Sequence, residues 1–151
     1  MTIKFYSTFG KYGAFSNFSR HSVVIDHKRY KTTEHFYQAQ KFVKTDKQWA
    51  NKIAKQTKPS QAARLGRDKS RPLRKDWESV KVDIMRRALR AKVDQYPSIE
   101  ELLLSTGDRK IIEDSPKDDY WGVGAHGRGK NMLGRLWMEL REELREGKSG
   151  R

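Results

Sequence analysis

The sequence NMLGRLWMELREELR, residues 131–145, carries the strongest structural pattern of the chain. Its large apolar side chains recur at spacings of three, four, seven and eleven residues, which places them along one side of an α-helix. They are Leu133, Leu136, Trp137, Leu140 and Leu144. The pattern therefore predicts an amphipathic helix over residues 131–145 whose apolar side packs against a core.

A second apolar stripe predicts a long helix from Trp77 to Val93. Its members are Val80, Ile84, Ala88 and Leu89. Shorter helices are predicted over residues 46–56, 59–66 and 99–104, and from a cap at Thr32 or Thr33 to residue 42 or 43. Helices therefore make up most of the predicted structure.

Strand patterns are confined to short segments. Residues 3–7 alternate in polarity, residues 22–31 contain two β-prone runs around a polar turn, and residues 110–113 form one further short run. The predicted fold class is α+β, predominantly helical, with a few short N-terminal strands. A chain of 151 residues suits one compact domain, expected over residues 1–146, with a flexible tail over residues 147–151.

Composition excludes several classes of protein. Aromatic residues make up 11% of the chain, which argues against disorder. The absence of cysteine excludes disulfides, thiolate zinc sites and cysteine nucleophiles. There is neither an apolar run of the ~20 residues that span a bilayer nor a secretory signal, so we expect a soluble cytoplasmic protein without a membrane partner. The four histidines are scattered, and we expect neither a metal nor a cofactor.

The chain is strongly basic, with 33 Lys and Arg residues against 19 Asp and Glu, a formal charge of +14. Half of that excess lies in the segment from Arg64 to Lys92. Such a surface attracts phosphorylated or polyanionic partners and allows contact with DNA or RNA. The sequence contains no recognised nucleic-acid-binding motif, so a generally basic surface is the simpler interpretation.

Three polar residues share one side of the predicted helix that begins at Thr32 or Thr33. Glu34, Gln38 and Lys41 follow one another at spacings of four and three residues. A carboxylate, an amide and an amine that converge on a cleft are able to support acid–base and amine chemistry. On spacing alone, a solvated face with a weak Glu–Lys attraction is the more common case.

A glycine-rich segment, residues 121–131, leads directly into the last helix. Four glycines allow close approach of a ligand to the backbone, and the helix N-terminus with Arg128 and Lys130 favours an anion. The segment is neither a dinucleotide-binding fingerprint nor a P-loop. We expect it to bind phosphate; the alternative is a flexible turn.

An acidic cluster, residues 113–119, precedes that loop. One of its carboxylates would be able to polarise water or stabilise a cationic transition state, as carboxylates do in glycoside cleavage. The alternative is a solvated turn built around Pro116. Asp118 is the candidate for an orienting or secondary acid–base role.

Several motifs, in order, resemble the NADAR family and in particular its bacterial riboflavin-intermediate N-glycosidases. They are Phe5-Tyr6, the segments 12–18, 34–42 and 63–67, and Trp121-Gly122 with the glycines and Asn131 that follow. The likeness extends from about residue 3 to residue 145. It implies a mainly helical α+β fold and hydrolysis of a ribosyl N-glycosidic bond, either in phosphorylated riboflavin-biosynthesis intermediates or in ADP-ribose attached to guanine.

The resemblance also suggests roles for individual residues. Glu34 matches the acidic residue of the motif and Lys41 its lysine; we expect Glu34 to transfer a proton, and Lys41 to trap the anomeric carbon or hold substrate phosphate. The predicted substrate-binding residues are Asn17, Phe18, Tyr37, Gln38, Arg67, Trp121, Gly122, Gly124, Gly127, Gly129 and Asn131. A non-catalytic nucleotide- or nucleic-acid-binding module is the alternative function.

Overall fold

The computed structural model describes the backbone of residues 1–149 and the side chains of residues 1–147. The helices are α1 (Thr33–Gln40), α2 (Lys47–Ala54), α3 (Pro59–Gly66), α4 (Trp77–Gln95), α5 (Pro97–Ser105) and α6 (Met132–Ser149). The strands are β1 (Thr2–Phe5), β2 (Val23–Ile25), β3 (Lys28–Tyr30) and β4 (Lys110–Glu113). The predicted α+β, mainly helical fold class is confirmed.

The chain divides into two compact units. The central unit is Asn17–Lys92, and the terminal unit combines Met1–Ser16 with the chain from Val93 onward. Helix α6 continues to Ser149, beyond its predicted end at residue 145. Residues 150 and 151 of the predicted tail lie outside the described residues, and the single domain over residues 1–146 stays a prediction.

The terminal unit is built around the predicted apolar stripe of α6. Strands β1 and β4 pair in parallel, with Ile3 opposite Ile111, and α6 packs against β4. Trp137 is fully buried; its ring centroid lies 4.9 Å from that of Phe15, and its indole N–H donates to the Phe15 carbonyl at 3.1 Å. An aromatic pair of this kind adds to the stabilisation that area burial supplies.

The central unit is built around α1. This helix packs against α2 and α3, and the short antiparallel hairpin of β2 and β3 belongs to the same unit. The predicted cap is confirmed: the Thr32 side chain accepts a hydrogen bond from the His35 amide at 3.2 Å. Phe36 and Ala39 are each 1% exposed, so this side of α1 anchors the helix in the core.

No helix in the described part of the chain, residues 1–149, combines the length and the apolar character needed to cross a membrane.

Candidate active site

Helix α1 is buried around its whole circumference. Every residue from Thr33 to Ala39 is buried, including Glu34 at 7% and Gln38 at 3% exposure. Lys41, which caps the C-terminal end of the helix, is partly buried. Charged and amide side chains are seldom buried unless hydrogen bonds compensate the lost solvation. The solvated-face interpretation of this helix is therefore wrong.

The first turn of α1 is held by Asn17. Its backbone carbonyl accepts a hydrogen bond from the Glu34 amide at 3.2 Å, and its side-chain oxygen accepts one from the Thr33 hydroxyl at 2.8 Å. The Asn17 amide nitrogen contacts the Met85 sulfur at 3.4 Å. Asn17, which the resemblance placed near the ribose, thus anchors the turn that carries Glu34.

Glu34, Gln38 and Lys41 are arranged as the spacing predicts. Nε2 of Gln38 donates a hydrogen bond to Oε2 of Glu34 at 2.8 Å. Nζ of Lys41 donates to the Gly66 carbonyl, at the end of α3, at 3.3 Å. Both hydrogen bonds connect groups within the central unit, and they hold a carboxylate and an amine on consecutive turns of one buried helix.

The surroundings of Lys41 favour its neutral form. Burial is the main cause that lowers the pKa of Lys41 from 10.5 to about 8; the Glu34 carboxylate opposes this shift, while the charges of Arg67 and Lys81 add to it. At neutral pH the fraction of free amine is then roughly 300-fold larger than for an ordinary lysine. Lys41 is therefore suited to act as a nucleophile.

Aromatic rings flank the Lys41 amine. Its Nζ lies 5.6 Å from the ring centroid of Tyr37 and 5.8 Å from that of Trp77. The two rings are 5.2 Å apart, and Trp77 is 5% exposed. Rings at this distance attract the cation, yet they also exclude the water that would solvate it. Phe18, another ring predicted to bind the substrate, is 37% exposed.

In the terminal unit, the glycine-rich segment is a loop closed by its own backbone. The amides of Gly129 and Asn131 donate to the carbonyls of Val123 and Gly122, at 2.7 and 3.0 Å. The first two amides of α6 donate in the same way, to carbonyls of residues 120 and 121. These amides are already bonded within the loop, and phosphate binding by this segment, like the alternative of a flexible turn, stays a prediction.

Two of the glycines are required for this closure. A Cβ at Gly129 would lie 2.6 Å from the Gly122 carbonyl oxygen and 2.7 Å from that of Asp119. A Cβ at Gly122 would overlap the Glu113 carboxylate. These distances are too short for real side chains, so Gly122 and Gly129 serve the packing of the loop itself, whereas they were predicted to admit a ligand.

The outer side of the loop lines a cavity of about 560 Å³. Its titratable side chains are Lys117, His126, Arg128 and Lys130, together with the carboxylate of Asp119 and the ring of Tyr120; Gly124 contributes to its wall. The Lys130 amine also lies 5.5 Å from the Tyr120 ring centroid. Lysine and arginine side chains around one cavity attract anions, and the phosphate site stays a prediction.

Asp118 and Asn131 hold the backbone of the loop. Oδ1 of Asp118 accepts hydrogen bonds from the amides of Tyr120 and Trp121, at 3.0 and 2.8 Å. Asn131 has a φ of +53°; its side chain accepts from the Glu113 amide at 2.9 Å and donates to the Ile111 carbonyl at 2.9 Å. Both side chains position the loop, and the catalytic role of Asp118 stays a prediction.

Comparison with known proteins gives the family. Residues 4–145 match the model of the NADAR domain. The chain belongs to the NADAR family. The resemblance inferred from the motifs is thereby confirmed.

Curated NADAR relatives have names that agree with the predicted reaction. The chain is 51% identical over 142 residues to N-glycosidase YbiA of Escherichia coli K12, covering 94% of this chain and 88% of that protein. It is 47% identical over 146 residues to an N-glycosidase of Nostoc punctiforme, covering 96% of this chain and 94% of that protein. It is 44% identical over 155 residues to a riboflavin biosynthesis protein of Zea mays, covering 94% of this chain and 25% of that protein.

A solved NADAR structure has the same fold. The NMR structure of E. coli YbiA superimposes with a TM-score of 0.91 at 49% identity, covering 99% of this chain and 88% of that one.

The predicted site residues of this NADAR chain lie in both units. The central unit holds Asn17, Phe18, Glu34, Tyr37, Gln38, Lys41 and Arg67; the terminal unit holds Asp118, Trp121, Gly122, Gly124, Gly127, Gly129 and Asn131. Trp121 is half-buried. Its ring packs edge-on against that of Tyr120, with the two ring centroids 5.0 Å apart. Within residues 1–149, no group of three or more His, Asp or Glu residues is placed to hold a metal ion.

Sequence reasoning missed two residues next to Lys41. Trp77 was identified only as the start of a predicted helix, and Gly66 only as part of the family motif in residues 63–67. Both lie at least 25 positions from Lys41, so no helical spacing connects them to it. Only the packing of α1 against α3 and the start of α4 brings them to the amine.

Proposed function

We propose that this chain is an N-glycosidase that hydrolyses the ribosyl N-glycosidic bond of phosphorylated riboflavin-biosynthesis intermediates. The observation that carries the proposal is the placement on one side of α1 of the buried Glu34 carboxylate and of the Lys41 amine, whose pKa burial lowers to about 8. The names of the E. coli, Nostoc and Zea mays relatives support the reaction and the substrate class.

The chemistry needs a proton for the leaving nitrogen and a partner for the electron-poor anomeric carbon. Glu34 carries out the proton transfer to the leaving nitrogen. The neutral amine of Lys41 attacks the anomeric carbon as the C–N bond to the base breaks, and ring opening gives an imine. Water then hydrolyses the imine, which releases the sugar phosphate and restores the lysine. If Lys41 only holds the substrate phosphate, no covalent adduct forms.

The cationic cavity of the glycine-rich loop binds the phosphate of a ligand. Arg128, Lys117 and Lys130 line it, and Asp118 and Asn131 keep the loop in shape. This cavity belongs to the terminal unit, so phosphate binding is measurable separately from the chemistry on α1. Titration with ribose 5-phosphate, compared with unphosphorylated ribose and followed by the NMR shifts of the backbone amides of the loop, tests the assignment.

The test of the proposed function is direct product analysis. A phosphorylated ribosylamine intermediate of riboflavin synthesis is incubated with the protein, and release of the free base is followed by chromatography. We expect catalytic release by the wild type. Binding of the substrate without release of the base would favour the non-catalytic nucleotide-binding module and overturn the hydrolase proposal.

One surface favours a second substrate class, ADP-ribose attached to guanine in a nucleic acid. A groove of about 300 Å³ in the terminal unit is lined by Lys4, Tyr6, Phe9, Lys11 and Tyr12, among others. Phe9 is 87% and Tyr6 is 55% exposed. Exposed rings interleaved with lysines are a common platform for stacking single-stranded bases. Removal of ADP-ribose from a guanine-containing oligonucleotide, compared with the small substrate under identical conditions, tests this second class.

A further inference from the structure

Gly66, the last residue of α3, contacts two polar side chains of α1 and its C-terminal cap, those of Gln38 and Lys41. Its carbonyl accepts the hydrogen bond from Nζ of Lys41 at 3.3 Å. A Cβ built at Gly66 would overlap Oε1 of Gln38 and would lie 2.7 Å from the Gln38 Cδ. The absence of a side chain at position 66 therefore permits the close approach of α3 to α1 at this point.

Gln38 is fixed between Gly66 and Glu34. The side chain is 3% exposed, and Nε2 donates to Oε2 of Glu34 at 2.8 Å. The other amide atom, Oε1, is buried against Gly66 and has no hydrogen-bond partner among the described residues. A buried carbonyl oxygen without a partner is destabilising, so stability alone does not explain this orientation. The orientation does present an N–H group to Glu34.

We propose that Gly66 and Gln38 are positioning residues for the hydrolysis, an inference that rests on the proposed roles of Glu34 and Lys41. Gln38 orients the Glu34 carboxylate. Gly66 leaves the space in which the Gln38 amide fits, and its carbonyl directs the Lys41 amine. A methyl group at position 66 pushes the Gln38 amide away from Glu34, and it also displaces the carbonyl that accepts from Lys41.

The chain offers a matched pair of helical glycines for the test. Gly66 lies in α3 and Gly147 lies in α6, and a Cβ added at Gly147 meets nothing within 4 Å. Both Gly→Ala changes raise helix propensity in the same way, so they differ in what the new methyl group contacts. We expect Gly66→Ala to lower kcat about 10- to 100-fold with little change in KM, since a displacement of about 1 Å at a catalytic group has effects of this size. Gly147→Ala keeps wild-type kcat.

A double variant separates positioning from general damage. Gln38→Ala alone lowers kcat because Glu34 loses its donor. Gln38→Ala removes the amide that overlaps the new methyl group and leaves only the Cβ of residue 38, at 2.9 Å from it, so adding Gly66→Ala lowers kcat far less in the Gln38→Ala background than in the wild type. Thermal unfolding of all four variants is followed by circular dichroism to verify that each folds.

Two results would overturn the inference: a Gly66→Ala enzyme within twofold of wild-type kcat, or losses that multiply in the double variant. Failure of the proposed function gives a different result, because the wild type itself then releases no base. In that case the side-chain amide NMR signals of Gln38 still report its contact with Gly66. We expect these signals to shift in Gly66→Ala and to keep their positions in Gly147→Ala.

Discussion

Helix α1 and the glycine-rich loop both carry charged residues, but they differ in how water reaches those charges. Glu34 and Gln38 are almost completely buried, and burial lowers the pKa of Lys41 to about 8. Arg128, His126 and Lys130 are instead exposed or line an open cavity. A buried group has altered reactivity, whereas an exposed cation mainly attracts anions. We therefore propose bond breaking at α1 and, as a separate event, phosphate binding at the loop.

The largest effect is expected from removing the proton-transfer group on α1. Glu34→Gln keeps the shape of the side chain, so folding is retained, and the rate of base release falls by about 10²–10⁴-fold. Glu101→Gln is the control, because Glu101 is an exposed carboxylate on α5 in the other unit. The rate of base release by both variants is measured by chromatography. Near-full turnover by Glu34→Gln would show that Glu34 has no part in the mechanism and would contradict the proposed difference between α1 and the loop.

The pH dependence of Lys41 gives the next largest effect. Attack requires the unprotonated amine, and the pKa of Lys41 is lowered to about 8 by burial. The single-turnover rate of base release is therefore expected to rise about tenfold per pH unit below pH 8 and to level off above it. A rate that continues to rise to pH 10 would show an ordinary lysine. Lys41→Arg keeps the charge, and we expect it to lose this rising limb.

A buried lysine outside the proposed site predicts a pH-dependent stability. Burial lowers the pKa of Lys92 to about 7, against 10.5 in the unfolded chain. Between these values the unfolded chain binds more protons, so the contribution of Lys92 to stability rises from pH 7 to pH 10.5. We expect the unfolding free energy from urea titrations at pH 7 and 9.5 to differ by on the order of 1 kcal/mol or more from this cause. Lys92→Met should reduce that difference, and an unchanged difference would contradict the assignment.

The smallest effect is expected in the exposed loop. Arg128→Ala removes one cation of the cavity and should raise KM for a phosphorylated substrate by about fivefold or less, with little change in kcat. The increase should shrink at 0.5 M salt, because salt screens exposed charges. The exposed Arg64 on α3 supplies the control variant Arg64→Ala. A fall in kcat with unchanged KM would show that Arg128 acts in bond breaking, and would contradict the proposed difference between α1 and the loop.

Regular elements were largely predictable, because each depends on neighbours in the sequence. The stripe that contains Leu133 and Trp137 predicted α6, and Thr32 was recognised as a cap for α1. The pairing of β1 with β4 was not predicted, since no local signal joins strands separated by more than 100 residues.

The site was predictable in its residues but not in its physical state. The spacing of Glu34, Gln38 and Lys41 was sufficient to group them on one side of α1. It could not show that α1 is buried, because its mixed polar sequence is equally typical of a surface helix. Nor could the sequence distinguish glycines that leave room for a ligand from glycines such as Gly129, whose missing side chain leaves room for the backbone of the same loop.

Reductive trapping tests the central claim most directly. Borohydride is added during turnover of the phosphorylated substrate, and the modified peptide is identified by mass spectrometry. We expect a ribosyl phosphate adduct on Lys41, no adduct on the exposed neighbour Lys44, and none without substrate. Rapid turnover with no adduct on Lys41, or adducts spread over exposed lysines, would contradict a nucleophilic amine at the end of α1.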